Sequence, residues 1–363
     1  MVKDIYSLGF YSQLATIIHK VRPSFSPQDF ISQVMNSDFE QMEWKERVKH
    51  TTKVLHRFMP ANYSDAVVVL RKIVAEYQHQ AINGGLEHVI FPDYIETYGL
   101  DYFETSVKAF DRITRFISCE FAVRPFIIRY GDAMIAEMLK FSQDPHPQVR
   151  RLASEGSRSR LPWAMAIPAL KKDPTPLLPI LENLKNDPSE MVRRSVANNL
   201  NDISKDNPQL LVHVAQEWTG HSKETDAIVK HACRTLFKQG HPEIMALYGL
   251  DVNGLILLNF QIHTTMVYMG NEMLFSFSLR NSVKTRKKVR LEYAIYFQKA
   301  NRTLAKKVFK ISEKMLEENQ QTDISKKHSF RFITTRKYYA GLHQIAIIIN
   351  GIEHDRLDFT LQT

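Results

Sequence analysis

An internal repeat of 43 residues constrains the fold of this chain more than any other feature of its sequence. Asp144-Pro145 followed by Val149-Arg150-Arg151 recurs as Asp187-Pro188 followed by Val192-Arg193-Arg194, with the same offset at each position. The apolar residues around both copies are spaced three and four apart, as in amphipathic helices. Each Asp-Pro step predicts a helix start, with aspartate as the N-cap and proline at the first helical position. Each repeat is therefore predicted to be helical.

A period in the forties with two helices per unit is typical of HEAT-type repeats. Such repeats stack into a curved superhelix whose concave face is a natural binding surface. Helical spacing extends from about Lys3 to Tyr248, and a weaker third copy of the repeat begins at Val229-Lys230-His231. We therefore expect residues 1–250 to form an all-α HEAT-like repeat domain.

After Gly254 the pattern changes to short segments with alternating polar and apolar residues, separated by turn signals. The number and spacing of these segments predict an all-β immunoglobulin-like sandwich over residues 254–363. The polar stretch from Glu313 to Asp323 is predicted to be a loop. The predicted strands are Leu255–Thr264, Glu272–Arg280, Arg290–Phe297, Ala305–Ile311, Lys327–Ile333, Gln344–Ile349 and Arg356–Leu361.

The net charge is confined to the predicted sandwich. Residues 1–253 carry 30 basic and 30 acidic side chains, whereas residues 254–363 carry 18 basic and nine acidic ones, so the whole net charge of +9 lies in the last third. Such asymmetry indicates a partner rich in phosphate, either a nucleic acid or an anionic membrane surface. A basic surface that serves solubility alone is the alternative.

Several protein classes are excluded by what the sequence lacks. Cys119 and Cys233 lie far apart without a CxxC partner, which argues against a disulfide framework or a cysteine-rich zinc site and favours a reducing cytoplasm. We find neither an apolar run of membrane-spanning length nor a secretory signal. Glycine-rich phosphate loops, HExxH and GxSxG are also missing. We therefore expect no metal and no cofactor.

Three acids stand in apolar or basic surroundings. Glu120 lies among large apolar residues in a stretch that we interpret as helical, where a carboxylate is costly unless it is paired or used. An ion pair with Arg124, four residues later, is an equally good explanation. Asp202 follows a polar run near a turn between repeats, where aspartate is common for structural reasons.

The third acid, Glu155, lies four residues after Arg151 and on the same helix face. An ordinary intrahelical ion pair explains this spacing, but the arginines around it also suit a phosphate backbone. Trp163 follows a proline and is either a core anchor or an exposed stacking ring. Because stacked repeats bring equivalent helices side by side, the three acids are expected to converge in one groove, where carboxylates can stabilise positive charge.

The blocks from Arg151 to Trp163 and from Arg194 to Asp202 resemble the AlkC-type branch of the HEAT-like-repeat alkylbase DNA glycosylases. The resemblance spans nearly the whole chain. It implies a monofunctional enzyme of base excision repair that hydrolyses the N-glycosidic bond of cationic N3-alkylated bases, 3-methyladenine and 3-methylcytosine, without full base flipping. The residues that it implies are the catalytic acids Glu120, Glu155 and Asp202, the DNA-backbone or pocket residue Arg151, and Trp163 as the aromatic wall near the damaged nucleotide. The neighbouring arginines Arg158, Arg160 and Arg194 are also expected to bind DNA or the lesion, because such a cluster suits a phosphate backbone.

The resemblance also implies the partner, which is double-stranded DNA containing alkylated bases. We expect a cytoplasmic monomer that needs no protein partner, no membrane and no cofactor. The basic residues of the sandwich would clamp the duplex backbone, although basic residues on strands also protect sheet edges. These residues are Arg286, Lys287, Lys288, Lys306, Lys307, Arg336 and Lys337. The rival interpretations are a non-catalytic HEAT-repeat scaffold and a membrane-surface binder.

Overall fold

Contacts divide the chain into two compact units, residues 1–232 and residues 233–363. The computed structural model describes residues 2–334 and 337–362. A helical region is followed by a β-sandwich, so the predicted fold class is confirmed. The change from helices to strands falls between Leu247 and Leu255, and the two helices just before it belong to the same compact unit as the strands.

Several helices of the first unit begin at polar caps or prolines. Ser7, for example, accepts a hydrogen bond from the backbone N–H of Phe10 at 3.3 Å, which satisfies one of the free donors at the helix start. The α-helices are α1 (Leu8–Val21), α2 (Pro27–Val34), α3 (Trp44–Arg57), α4 (Tyr63–His79), α5 (Ile90–Tyr98), α6 (Phe103–Ile113), α7 (Val123–Tyr130), α8 (Asp132–Phe141), α9 (Pro147–Gly156), α10 (Pro168–Lys172), α11 (Leu178–Leu184), α12 (Glu190–Asp206), α13 (Pro208–Trp218) and α14 (Lys223–Ala232). Short 3₁₀ helices cover Val2–Ile5, Phe39–Gln41, Leu86–Val89 and Thr175–Leu177.

The two copies of the repeat have the same local structure. Asp144 accepts a hydrogen bond from the backbone N–H of His146 at 2.7 Å, and Asp187 accepts one from the backbone N–H of Ser189 at 2.8 Å. Helix α9 begins at Pro147 and helix α12 at Glu190, so their N-caps are His146 and Ser189. The prediction that the aspartates are the N-caps is therefore wrong. The aspartates instead close the turn before each helix, a role that suits their short acceptor side chains.

An arginine ladder joins successive repeats. Arg150 donates from Nε and one terminal nitrogen to the two carboxylate oxygens of Asp187, at 2.5 and 3.0 Å. Its other terminal nitrogen donates to the carbonyl oxygens of Asp144 and Pro145 in its own repeat. Arg115 forms the preceding rung with Asp144 at 3.1 Å. Bidentate pairs of this kind fix distance and orientation, so α9 and α12 pack side by side, and α14 follows on α12.

The second unit is a two-sheet sandwich preceded by two short helices. One sheet has the order β1-β3-β6, and the other has the order β2-β8-β7-β4-β5, in which only the β2–β8 pair is parallel among the paired strands. The elements are α15 (Arg234–Gln239), α16 (Pro242–Leu247), β1 (Leu255–Ile262), β2 (Met266–Tyr268), β3 (Glu272–Asn281), β4 (Lys287–Gln298), β5 (Leu304–Leu316), β6 (Gln321–Ser329), β7 (Gly341–Ile349) and β8 (Ile352–Gln362).

The strand pattern of the sequence matches the sandwich core. Alternate residues of β3, from Met273 to Leu279, point into the core between the sheets. The predicted loop from Glu313 to Asp323 is wrong, because β5 continues to Leu316 and β6 begins at Gln321. Both strands lie at sheet edges, where many side chains face solvent and are polar. The alternating pattern that predicts a strand is therefore weak in this part of the sequence.

Within residues 2–334 and 337–362, the helices are too short or too polar to span a bilayer.

Candidate active site

An open depression of about 680 Å³ lies between helices α9 and α12 of the first unit. Arg151 and Glu155 of α9 line one side of it, and Arg194 and Ser195 of α12 line the other. Among the residues that the structure describes, no group of three or more histidine, cysteine, aspartate or glutamate side chains is placed to hold a metal ion. The ionisable side chains that line the depression are the carboxylates of Glu155 and Glu190 and the guanidinium groups of Arg151 and Arg194.

Glu155 is held rigidly in the wall of this depression. Its side chain is 6% exposed. One carboxylate oxygen accepts a hydrogen bond from Arg158 at 2.5 Å, and the other accepts one from the hydroxyl of Ser195 at 2.6 Å. Because charge-assisted hydrogen bonds are short and directional, these two donors fix the carboxylate plane without covering all its lone pairs.

Arg158 connects Glu155 to Asp202, which lies deeper and is 1% exposed. The guanidinium approaches one oxygen of Asp202 at 2.7 and 2.8 Å, while Lys205 contacts the other at 2.8 Å. Burial acts to lower the pKa of Arg158, but the two carboxylates outweigh it and raise that pKa. The expectation that Arg158 binds DNA or the lesion is therefore corrected, because its side chain is buried and holds the two acids.

Arg124 fixes the chain segment that carries these residues. Its side chain is fully buried and donates to the carbonyl oxygens of Gly156, Arg158 and Met165 at 3.1, 2.6 and 2.7 Å. Burial, with repulsion from Arg158, lowers the pKa of Arg124 to about 10. Arg124 therefore binds backbone carbonyl oxygens, and the alternative explanation of Glu120, an ion pair with Arg124, is wrong.

Glu120 lies in the turn that leads into α7, so its assignment to a helix is also wrong. Its carboxylate accepts hydrogen bonds from Arg151 at 2.6 Å and from Ser118 at 2.8 Å. Arg151 therefore pairs with Glu120 across the fold, and the alternative intrahelical pair with Glu155 is not formed. Two of the three acids, Glu155 and Asp202, share a direct partner, and Glu120 reaches the depression through Arg151.

Trp163 is an exposed ring and not a core anchor, because 65% of its surface is accessible. Arg194 is exposed beside the depression and pairs with Glu190 at 2.9 Å. Arg160 is also exposed and makes two hydrogen bonds to Asp206. These three side chains remain accessible to a partner, unlike Arg158.

The basic residues of the sandwich mostly face carboxylates. The exposed Arg286 pairs with Glu317 at 3.2 Å, and Lys306 pairs with Glu353 at 2.6 Å. The pair of Arg286 and Glu317 is solvent-exposed, and such pairs contribute little stability. The remaining contacts are Lys287 with Asp251, Lys288 with Glu313, Lys307 over the ring of Phe309 and Lys337 over the ring of Tyr339. Arg336 lies outside the described residues.

Sequence reasoning missed the groups that position the acids, Ser195, Lys205 and Ser118. Only Ser195 gave a signal. The repeat offset places it where the first copy has Leu152, and both positions are buried. A buried serine at a position where the other repeat has leucine must find a hydrogen-bond acceptor inside the protein. For Ser195 that acceptor is Glu155.

The chain belongs to the DNA alkylation repair enzyme family, whose model matches residues 44–236. The model of the YhaZ C-terminal Ig-like domain matches residues 257–363. These matches confirm the resemblance that the two sequence blocks indicated.

Two relatives resemble the chain over nearly its full length. It is 42% identical over 359 residues to the uncharacterized protein YhaZ of Bacillus subtilis (strain 168), which covers 99% of this chain and 98% of the relative. It is also similar to the Pseudomonas fluorescens alkylpurine DNA glycosylase AlkC bound to DNA containing an abasic site analog, with a TM-score of 0.93, 31% identity and 99% of each chain covered.

The buried network predicts how much stability depends on Arg158. Arg158→Met would leave Glu155 and Asp202 without their shared cation, and we expect it to lower the free energy of unfolding by about 3–5 kcal/mol. Arg160→Met removes the exposed pair with Asp206 and should lower it by about 1 kcal/mol or less. Urea unfolding followed by far-ultraviolet circular dichroism measures both. Equal losses would contradict the role assigned to Arg158.

Proposed function

We propose that the chain is a monofunctional DNA glycosylase that hydrolyses the N-glycosidic bond of an alkylated base in duplex DNA. The observation that carries the proposal is the immobilised carboxylate of Glu155 in a depression lined by arginine. Membership of the DNA alkylation repair enzyme family and the likeness to AlkC bound to DNA support the same activity. DNA is accordingly the proposed partner, bound by a single copy of the chain.

The proposed substrates are cationic N3-alkylated bases, 3-methyladenine and 3-methylcytosine. Such a base already carries positive charge, so it leaves the sugar without help from a general acid. The remaining barrier is the positive charge that develops on the deoxyribose and the placement of water, as in glycoside hydrolysis. A fixed carboxylate lowers this barrier because it needs no reorganisation when the charge develops.

Glu155 is the acid best placed for that role. It lines the depression, and its two hydrogen bonds to Arg158 and Ser195 hold its orientation while each oxygen retains a further lone pair. That lone pair can accept a hydrogen bond from the attacking water or face the sugar. Glu120, on the other side of Arg151, is the second candidate for orienting water.

Asp202 is buried and acts on Glu155 through Arg158. It competes with Glu155 for the single guanidinium of Arg158, and Lys205 contributes the balancing charge on its far side. Because Arg158 is shared, it neutralises Glu155 only in part. We infer that Asp202 preserves the negative charge that Glu155 presents to the sugar.

The form of the site favours attack on a lesion that stays largely stacked. The depression is open, and its cations are the guanidinium groups of Arg151 and Arg194. Guanidinium groups stay protonated, so they are not Schiff-base nucleophiles. Base release without strand cleavage follows from this chemistry.

Glu155→Gln tests the proposal most simply. We expect release of 3-methyladenine from methylated duplex DNA to fall about a hundredfold or more, because the neutral amide cannot stabilise the charged sugar. DNA affinity and thermal stability serve as readouts of binding and fold. Glu182→Gln, an exposed change on α11 beside Lys185, is the matched control and should keep full activity.

A scaffold would give a different result. If wild type and Glu155→Gln both bind DNA at nonspecific affinity and neither releases a base, the chain is a non-catalytic repeat protein and the enzymatic proposal fails.

The sandwich is proposed to clamp the duplex backbone through its basic residues. Replacing both Lys306 and Lys307 by alanine should weaken DNA binding for every sequence and reduce the slope of log K against log salt by about 2, since each phosphate contact contributes about 0.9. Lys20→Ala, an exposed change on α1, is the control. An unchanged slope would remove these lysines from the interface, and binding to anionic vesicles instead of DNA would favour the membrane alternative.

A further inference from the structure

Two large aromatic side chains lie exposed beside one groove of the sandwich. Phe332, in the segment between β6 and β7, is 81% exposed, and Tyr268 of β2 is 54% exposed. Scattered exposed apolar residues are ordinary on the surface of a protein. Two aromatic rings beside the same groove are not scattered, and exposed apolar surface of this kind is typical of a binding site.

The groove has a volume of about 590 Å³ and is open to solvent. Its lining includes Met266 and Tyr268 of β2, Ser329 at the end of β6, and Arg331. The hydroxyl of Tyr268 lies 3.6 Å from the sulfur of Met266, so the two side chains share one face of β2. Phe332 follows Arg331 directly in the chain. Aromatic rings therefore adjoin the groove from two separate segments.

The segment that carries Phe332 is anchored through Phe330. The backbone N–H of Phe330 donates to the carbonyl oxygen of Asn271 at 2.9 Å, and the backbone N–H of Gly270 donates to the carbonyl oxygen of Phe330 at 3.1 Å. The ring of Phe330 is fully buried and packs edge-on against that of Phe359. Phe332 therefore reaches solvent two residues after a fixed point, which reduces the entropy lost when its ring contacts a partner.

The charges at the groove favour an anionic partner. Arg331 is exposed, and its guanidinium group makes no hydrogen bond or ion pair with the residues that the structure describes. Glu272 also lines the groove, but its carboxylate pairs with Lys327 at 3.0 Å. Residues 254–363 carry nine more basic than acidic side chains. An available guanidinium group beside exposed rings suits a ligand that has both phosphate groups and flat aromatic faces.

The groove is separate from the lysines of β5 that are proposed to clamp the duplex. In the five-stranded sheet, β2 and β5 lie at opposite edges, and Lys306 and Lys307 belong to β5. The order β2-β8-β7-β4-β5 contains four strand spacings of about 4.8 Å, so the two edges are about 19 Å apart. The groove is therefore a second surface, to which these lysines do not contribute.

We propose that the groove binds an unpaired stretch of single-stranded DNA, with one base stacked on Phe332, another on Tyr268 and a phosphate contacted by Arg331. Unpaired bases can present their ring faces to a protein, whereas bases within a duplex are covered by their neighbours. Such stacking tolerates any sequence, because every base has an aromatic face. The inference deepens the proposed function and rests on it for the choice of DNA as the nucleic acid.

Binding of fluorescently labelled oligothymidine to the full chain, followed by anisotropy, tests the site. Phe332→Leu keeps an apolar side chain but removes the ring, and we expect it to weaken binding about tenfold, which corresponds to the stacking of one base. Phe332→Tyr keeps a ring and should bind as wild type does. Tyr102→Leu, the equivalent change at an exposed ring of the first unit, is the matched control and should bind normally.

Two further measurements separate stacking from charge. An oligonucleotide of the same length made of abasic sites has the phosphates but no bases, so wild type and Phe332→Leu should bind it equally. Arg331→Gln should reduce the slope of log K against log salt by about 0.7, the contribution of one phosphate of a single strand. Equal binding of oligothymidine by wild type and Phe332→Leu, or an equal loss for oligothymidine and the abasic strand, would overturn the proposal.

A fully paired duplex shows whether the groove is specific for unpaired bases. We expect Phe332→Leu to bind such a duplex as wild type does. In the variant that lacks Lys306 and Lys307, Phe332→Leu should still weaken oligothymidine binding about tenfold, because effects of distant sites add. If Phe332→Leu weakened binding of the duplex and of oligothymidine equally, the groove would belong to the duplex interface and the proposal would be overturned.

Failure of this proposal is distinguishable from failure of the proposed function. Glu155→Gln should bind oligothymidine as wild type does, because Glu155 lines the depression of the first unit and not the groove. Oligothymidine binding that depends on Phe332, in a chain that releases no base, would overturn the glycosylase proposal alone. Base release without such binding would overturn the groove proposal alone.

Discussion

The sharing of Arg158 between Glu155 and Asp202 is the interaction on which the rest of the site depends. One guanidinium contacts a carboxylate from its own helix end and another from the next repeat, and all three side chains are buried. Isolated charges at these depths would be prohibitively costly, so each group is tolerated only because the others are present. The network therefore joins α9 to α12 and places Glu155 at the surface of the depression in a single orientation.

The arginine ladder supplies the framework for that network. Arg150 ties the turn of its own repeat to Asp187 of the next, which sets the spacing of α9 and α12. The 43-residue offset made this stacking predictable, and with it the meeting of Glu155 and Asp202 from successive repeats. The role of Arg158 was not predictable in the same way, because an arginine that binds phosphate and one that holds buried acids look alike in a sequence.

Glu120 and Arg151 illustrate a second limit. Spacing of four residues left open two pairs within a helix, Glu120 with Arg124 and Arg151 with Glu155, but the structure pairs Glu120 with Arg151. Long-range partners compete with local ones, and only the packing of the helices decides between them. The sandwich shows the same limit, since alternation in β3 was evident whereas the pairing of Lys306 with Glu353 joins residues from distant parts of the chain.

We propose that Glu155 and Asp202 act as one unit coupled through Arg158, and a double-mutant cycle on base release tests this coupling. Single-turnover rates would be measured for Glu155→Gln, Asp202→Asn and the double variant. Because groups that act as a unit lose function non-additively, we expect the double variant to be no slower than Glu155→Gln alone. Losses that multiply would contradict it and would show that the two acids act independently.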